Sequence, residues 1–206
     1  VEIKTADNSD GTLRVDTYVD GELRATYTAT RTRAAAVPVT LEFANSYDAG
    51  SVSLGGDGEA KISAAKTLTN SQLSEGQFAF KVYNAKDSSR QPLATGTNSA
   101  AGNIAFGAIR YTTESLNSDV AQGLAVLDTT GEADVYTYSY IVAEDTAGLA
   151  EEGITAIVDS FSITVKITDN RAGKLSVEVI YPEGSSSLAF ENAYGKGQQV
   201  DTVLKG

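Results

Sequence analysis

Apolar and polar residues alternate with a period of two along much of the 206-residue chain. The alternation is clearest in residues 78–82, 161–167 and 175–181. Because successive side chains of a strand point to opposite faces of a sheet, this period predicts β-strands with one buried face. Clusters of Gly, Asn, Asp and Ser lie between these segments and indicate turns, including a hairpin turn at Asp20-Gly21.

Helical periodicity is weak throughout the chain. One short helix is predicted within Thr112–Ala125, and Asp145–Glu152 is predicted to be a loop with at most one helical turn. Many short strands separated by turn residues favour an all-β fold, and we expect a Greek-key β-sandwich.

Three polar residues lie where strand alternation places core residues. Asn192 shares a face with Phe190, Lys66 lies on the apolar side of its strand, and Glu144 ends the face that carries Tyr140. A buried amide without partners costs about 1 to 3 kcal/mol, and a lone buried charge costs several kcal/mol. The structural alternatives are a lysine that reaches water at a strand end, a glutamate that opens a solvated loop, and a hydrogen-bonded core amide.

The segment around Asn192 has an internal copy. Phe190-Glu191-Asn192-Ala193-Tyr194 resembles Phe43-Ala44-Asn45-Ser46-Tyr47. Upstream, residues 165–175 resemble residues 3–13, so the similarity extends over several strands. Such self-similarity predicts tandem repeats.

The spacing of these copies predicts the domain organisation. Residues 1–48 are expected to be the C-terminal strands of a preceding or strand-complementing repeat, and residues 49–195 a complete β-sandwich domain. Residues 196–206 are expected to be a linker toward the next repeat.

Composition excludes several classes of function. The chain has no Cys, Met or His, which removes disulfides, thiol catalysis and the commonest general base, and we predict neither a cofactor nor a metal. A net charge of −11 argues against nucleic acid or anionic lipid as a partner, and no apolar run is long enough to enter a membrane. Asp7–Gly11 and Asp57–Glu59 lack the spacing of a calcium loop and are predicted to be turns. The acidic residues show no pair spaced for a glycosidase.

Five segments in order resemble Gram-positive pilin and adhesin domains with an internal isopeptide bond, specifically the streptococcal pilin isopeptide linkage family. The similarity covers nearly all of residues 59–195 and implies an immunoglobulin-like, Cna-B-like sandwich. The segments are Ala60–Leu68, Leu73–Phe80, Gly102–Phe106, Tyr138–Glu144 and Phe190–Tyr194.

The resemblance implies a role for each misplaced polar residue. Lys66 would bond covalently to Asn192, with Glu144 promoting the reaction. Asn45 would be the equivalent crosslinking residue of the other repeat, without a matching lysine in this sequence. The hydrophobic residues surrounding the site would be Phe78, Phe80, Tyr138, Tyr140 and Phe190. Lys61 competes with Lys66 as the reactive amine, although alternation places Lys61 on the opposite face of the strand. Glu151 and Glu152 compete weakly with Glu144.

The function implied is a structural stalk of a bacterial surface pilus or wall-anchored adhesin, located outside the cell and anchored through parts beyond this sequence. The crosslinking would occur once per molecule, so the chain is not expected to be an enzyme. Neighbouring repeats or copies of the same protein are the expected partners. The alternative is an adhesin module that recognises a host protein or glycan through loops such as 84–103 or 112–130.

Overall fold

A computed structural model describes residues 1–30 and 46–195 of the chain. These residues are mostly in β-strands, as predicted, with one short helix. The chain divides into two compact units, residues 1–46 and 47–206. The assignment of these units as one partial and one complete repeat stays a prediction.

The first unit contains a three-stranded antiparallel sheet, ordered β1-β2-β3. Its strands are β1 (Glu2–Asp7), β2 (Thr12–Val19) and β3 (Glu22–Thr30). The hairpin predicted at Asp20-Gly21 joins β2 to β3 and is confirmed, since both residues have a positive φ, 52° and 82°. Positive φ at both central positions is the signature of the turn that matches strand twist.

The second unit holds twelve described strands and the helix. They are β4 (Ser51–Leu54), β5 (Ala64–Thr69), β6 (Ala79–Asn84), β7 (Pro92–Asn98), β8 (Ile104–Phe106), β9 (Ile109–Thr112), α1 (Thr113–Ala121), β10 (Val126–Asp128), β11 (Asp134–Glu144), β12 (Ile154–Val158), β13 (Ser160–Asp169), β14 (Leu175–Ile180) and β15 (Leu188–Tyr194). The helix lies within the predicted Thr112–Ala125 and is capped by the Thr112 side chain. Residues 145–152 form a loop whose turns begin at residue 147, so both predictions are confirmed.

The strands of the second unit form three sheets. The largest follows the order β14-β13-β11-β6-β7-β8, with β10 paired to β11; the others are β12-β15-β5 and β4-β9. The pairing that matters most for function is parallel: β5 lies beside β15, with Lys66 opposite Phe190. Two segments more than a hundred residues apart in sequence are thereby direct neighbours.

The core lies between the inward faces of these sheets. The predicted alternation is confirmed along β13, where Ile163, Val165 and Ile167 are buried. It is also confirmed along β6, where Phe80 and Val82 are fully buried. On β11 every second residue from Tyr136 to Glu144 is buried, so the strand carries one continuous inward face.

Candidate crosslinking site

The three polar residues predicted on apolar faces meet in one buried cluster. Lys66 projects from β5, Glu144 from the end of β11 and Asn192 from β15. Their exposed fractions are 2%, 7% and 0%. Neither the lysine nor the glutamate reaches water, which excludes the snorkelling and solvated-loop alternatives.

Strand register explains how these residues meet. In the parallel pair, Lys66 stands opposite Phe190, and Asn192 is the next residue of β15 on the same face. The Lys66 backbone N–H donates to the Gly102 carbonyl at 2.7 Å, which ties β5 to the adjoining turn. Glu144 stands opposite Phe80 where β11 pairs with β6.

Glu144 connects the other two side chains. The Lys66 Nζ lies 2.8 Å from Oε1 and 2.9 Å from Oε2 of the carboxylate. Asn192 Nδ2 donates to the same Oε1 at 2.8 Å. Because one oxygen contacts both nitrogens, the amine and the amide are held within twice that distance of each other.

Aromatic side chains surround this cluster on several sides. The Lys66 Nζ lies 4.7 Å from the centre of the Phe78 ring. The ring of Phe190 lies 4.9 Å from that of Phe80 and 4.9 Å, edge-on, from that of Phe161. The sequence analysis missed Phe161 as part of the surround, although it begins the alternating face of β13.

Two of the predicted surrounding residues lie elsewhere. Tyr140 and Tyr138 are four and six residues before Glu144 on β11, roughly 13 and 20 Å along the strand. The Tyr138 ring packs at a tilt against the rings of Tyr140 and Tyr111, with ring centres 5.5 and 5.4 Å away. The Tyr140 and Tyr111 hydroxyls are 2.8 Å apart, and the Tyr138 hydroxyl donates to Asp119. Tyr111, Tyr138 and Tyr140 therefore form a separate tyrosine cluster, a correction to the predicted surround.

Burial controls the protonation of the lysine. Loss of solvation lowers the pKa of Lys66, and the hydrogen bond that Lys66 donates to Glu144 opposes that shift only in part. Desolvation penalises the charged ammonium, so burial favours the neutral form of the amine. The site can thus supply a neutral amine, which is the nucleophilic form.

Asn192 differs from the other buried asparagines. Asn98 accepts from the Phe78 N–H and donates to the Ser74 carbonyl, and Asn84 is similarly bonded to backbone groups. The Asn192 Oδ1 atom is buried and has no hydrogen-bond partner among the described residues. Such an atom costs about 1 to 3 kcal/mol, which is unexpected for an amide with a structural role only.

The competing residues lie outside the cluster. Lys61, Glu151 and Glu152 are exposed, so Lys66 and Glu144 are the buried pair. Asn45 lies outside the described residues.

Asp7–Gly11 is a hairpin turn, and no cluster that could hold a metal ion occurs within residues 1–30 and 46–195. Among the same residues, no helix is long and apolar enough to cross a membrane.

Comparison with protein families identifies the family to which this chain belongs. Residues 62–195 match the FctA family, the Spy0128-like isopeptide containing domain, over more than half of the chain. The chain belongs to the FctA family. This family suggests a structural role in a pilus shaft, and its pilin domains are typically surface-exposed pilus components. No curated protein matches the chain.

Proposed function

We propose that this FctA-family chain is a shaft domain of a bacterial surface pilus or wall-anchored adhesin, stiffened by an autocatalytic isopeptide bond between Lys66 and Asn192. Glu144 promotes the reaction. The observation that carries the proposal is one buried carboxylate oxygen in contact with both the lysine amine and the asparagine amide. The proposal includes a location outside the cell and an immunoglobulin-like Greek-key sandwich repeated in tandem.

The reaction begins with a proton transfer inside the ion pair. Lys66 Nζ gives one proton to Glu144 and becomes a neutral amine, which attacks Cγ of Asn192. The electron pair of the carbonyl moves to Oδ1, the atom that has no partner among the described residues before the reaction.

The second step releases ammonia. The Cγ–Nδ2 bond breaks, and Nδ2 leaves with its own two protons and one relayed from Nζ by Glu144. Of the three protons that Nζ first carried, one remains in the new amide, one leaves with ammonia, and one remains on Glu144. Atoms and charges therefore balance without a cofactor, an oxidant or a second substrate.

The fold supplies the rate enhancement by proximity. A lysine and an asparagine free in water must first meet by diffusion, whereas holding the two groups in contact lowers the activation barrier by the equivalent of about 7 to 11 kcal/mol. Because β5 and β15 are neighbouring strands, folding itself brings the reactants together. The reaction follows folding, occurs once and does not turn over.

An intact-mass measurement tests the bond. The wild-type chain should be lighter than its sequence by one ammonia, and Lys66→Ala and Glu144→Gln should each have the full calculated mass. Lys61→Ala and Glu151→Gln are matched controls, since these residues are exposed, and both should retain the mass loss apart from the substitution itself.

Two results would contradict the proposal. One is a wild-type chain of full calculated mass, and the other is an ammonia loss that persists in Lys66→Ala. Near-ultraviolet circular dichroism of the buried tyrosine cluster reports whether each variant is folded, so that loss of the bond is separated from loss of the fold.

A further inference from the structure

Tyr47 is hydrogen bonded to a hairpin turn of the second unit. Its hydroxyl donates to Asp169 Oδ1 at 2.7 Å and accepts from the Gly173 N–H at 3.0 Å. Asp169 ends β13 and is almost fully buried, with 3% exposure. In sequence, Tyr47 is the last residue of the first motif copy, Phe43–Tyr47, so a tyrosine that closes one copy is bound by the turn of the next.

The first unit contains a hairpin of the same register. We call Asp7–Gly11 the first turn and Asp169–Gly173 the second turn. In the first hairpin Asp7 pairs with Leu13, and in the second Asp169 pairs with Leu175. Both hairpins therefore have five residues between the paired positions.

The two turns also share their backbone conformation. In the first turn, Ser9 and Gly11 have φ of 61° and 85°; in the second, Arg171 and Gly173 have 56° and 84°. In each turn the aspartate Oδ1 accepts from the backbone N–H two residues later at 2.8 Å. In the second turn, the Asp169 carboxylate and the Gly173 N–H hold Tyr47. The Asp7 carboxylate and the Gly11 N–H occupy the same positions in the first turn.

In the first turn these two groups have no tyrosine partner. The Asp7 carboxylate is exposed and accepts only from the Ser9 N–H, and the Gly11 N–H has no hydrogen-bond partner within residues 1–30 and 46–195. Tyr194 is the residue that corresponds to Tyr47 in the other motif copy. Its hydroxyl likewise has no hydrogen-bond partner in the described part of the chain.

We propose that the first turn is a docking site for the tyrosine at the end of a neighbouring repeat. Between separate molecules, that tyrosine is Tyr194 of a second copy of this chain. The Tyr194 hydroxyl would donate to the Asp7 carboxylate and accept from the Gly11 N–H, as Tyr47 does in the second turn. The contact joins different surfaces of the two copies, so it is directional and extends head to tail. It would orient one copy of the chain relative to the next and does not depend on the Lys66–Asn192 bond.

Amide chemical shifts test this docking directly. The internal contact supplies the calibration: Tyr47→Phe removes the hydroxyl from the Gly173 N–H, and the resulting shift of the Gly173 amide proton gives the expected size for one such bond. The receiver is an isotope-labelled Tyr194→Phe chain, which cannot donate. The donor is the unlabelled wild-type chain, added at increasing concentration.

The expected result is a concentration-dependent shift of the Gly11 amide proton, opposite in sign to that of Gly173 in Tyr47→Phe. The shift should be absent with an unlabelled Tyr194→Phe donor and absent with an Asp7→Asn receiver. A Gly11 amide that does not move at the highest donor concentration would overturn the proposal. So would equal shifts with the wild-type and Tyr194→Phe donors. The intact mass of each chain reports the crosslink separately.

Discussion

Mechanical extension distinguishes a crosslinked second unit from an unlinked one. Lys66 and Asn192 are 126 positions apart in the sequence (192 − 66) but lie on neighbouring parallel strands. With the bond in place, force passes from β5 directly to β15, and the residues between them carry no load. With Lys66→Ala, those residues are free to extend.

The expected difference follows from the chain dimensions. At about 3.4 Å per extended residue, the released segment adds about 430 Å of contour length, against a native separation of about 5 Å between neighbouring strands. Single-molecule force spectroscopy on chains held at both ends should therefore record that additional length in Lys66→Ala and not in the wild-type chain. All other segments are common to the two chains and cancel in the comparison.

Two controls make the measurement decisive. Lys61→Ala removes an exposed lysine of the same segment and should extend like the wild type. Asn192→Ala removes the other reactant and should extend like Lys66→Ala. Equal contour lengths for wild type and Lys66→Ala would refute the argument, because no crosslink could then be shielding the loop.

Two further predictions concern the fold of the second unit. Gly102→Ala should lower the free energy of unfolding by about 2 kcal/mol or more, since Gly102 has φ of 91° and a Cβ would lie 2.5 Å from the Lys66 carbonyl oxygen. Gly123 has φ of 73° and open space around its Cα, so Gly123→Ala should lower the free energy of unfolding by less. Urea denaturation of both variants makes the comparison, and equal losses of stability would argue against the steric clash at Gly102. Burial raises the pKa of all three residues of the tyrosine cluster, so their stabilising effect is complete below about pH 10 and is lost as pH rises above it. The phenolate absorbance of these three tyrosines should therefore appear only together with loss of the circular dichroism of the folded chain. Ionisation of the three tyrosines in a chain that keeps this circular dichroism would contradict the prediction.

Much of the site was accessible from local pattern. Alternation alone placed Lys66 and Asn192 on inward faces, because side-chain direction along a strand depends only on the position in the strand. The same reasoning separated Lys66 from Lys61, which lies five residues earlier and therefore on the opposite face. Hairpin positions followed from turn residues such as Asp20-Gly21, whose conformational preference is local.

The membership of the aromatic surround was less accessible. Tyr138 and Tyr140 share the inward face of β11 with Glu144, and alternation alone could not show that they lie too far along the strand. Phe161 contacts Phe190 from another sheet, a pairing with no signature in either segment. The unpartnered Oδ1 of Asn192 was equally invisible, since hydrogen-bond satisfaction depends on every neighbour at once.

The sequence by itself determined that this protein is built from strands, which residues face inward, and that two of its segments resemble each other. Those properties depend on side-chain period and local turn chemistry. Only the tertiary structure decided that β5 and β15 are parallel neighbours, that one oxygen of Glu144 contacts both Lys66 and Asn192, and that the two hairpin turns share one conformation. Strand pairing joins segments far apart in the chain, and its energy comes from contacts that no single segment contains.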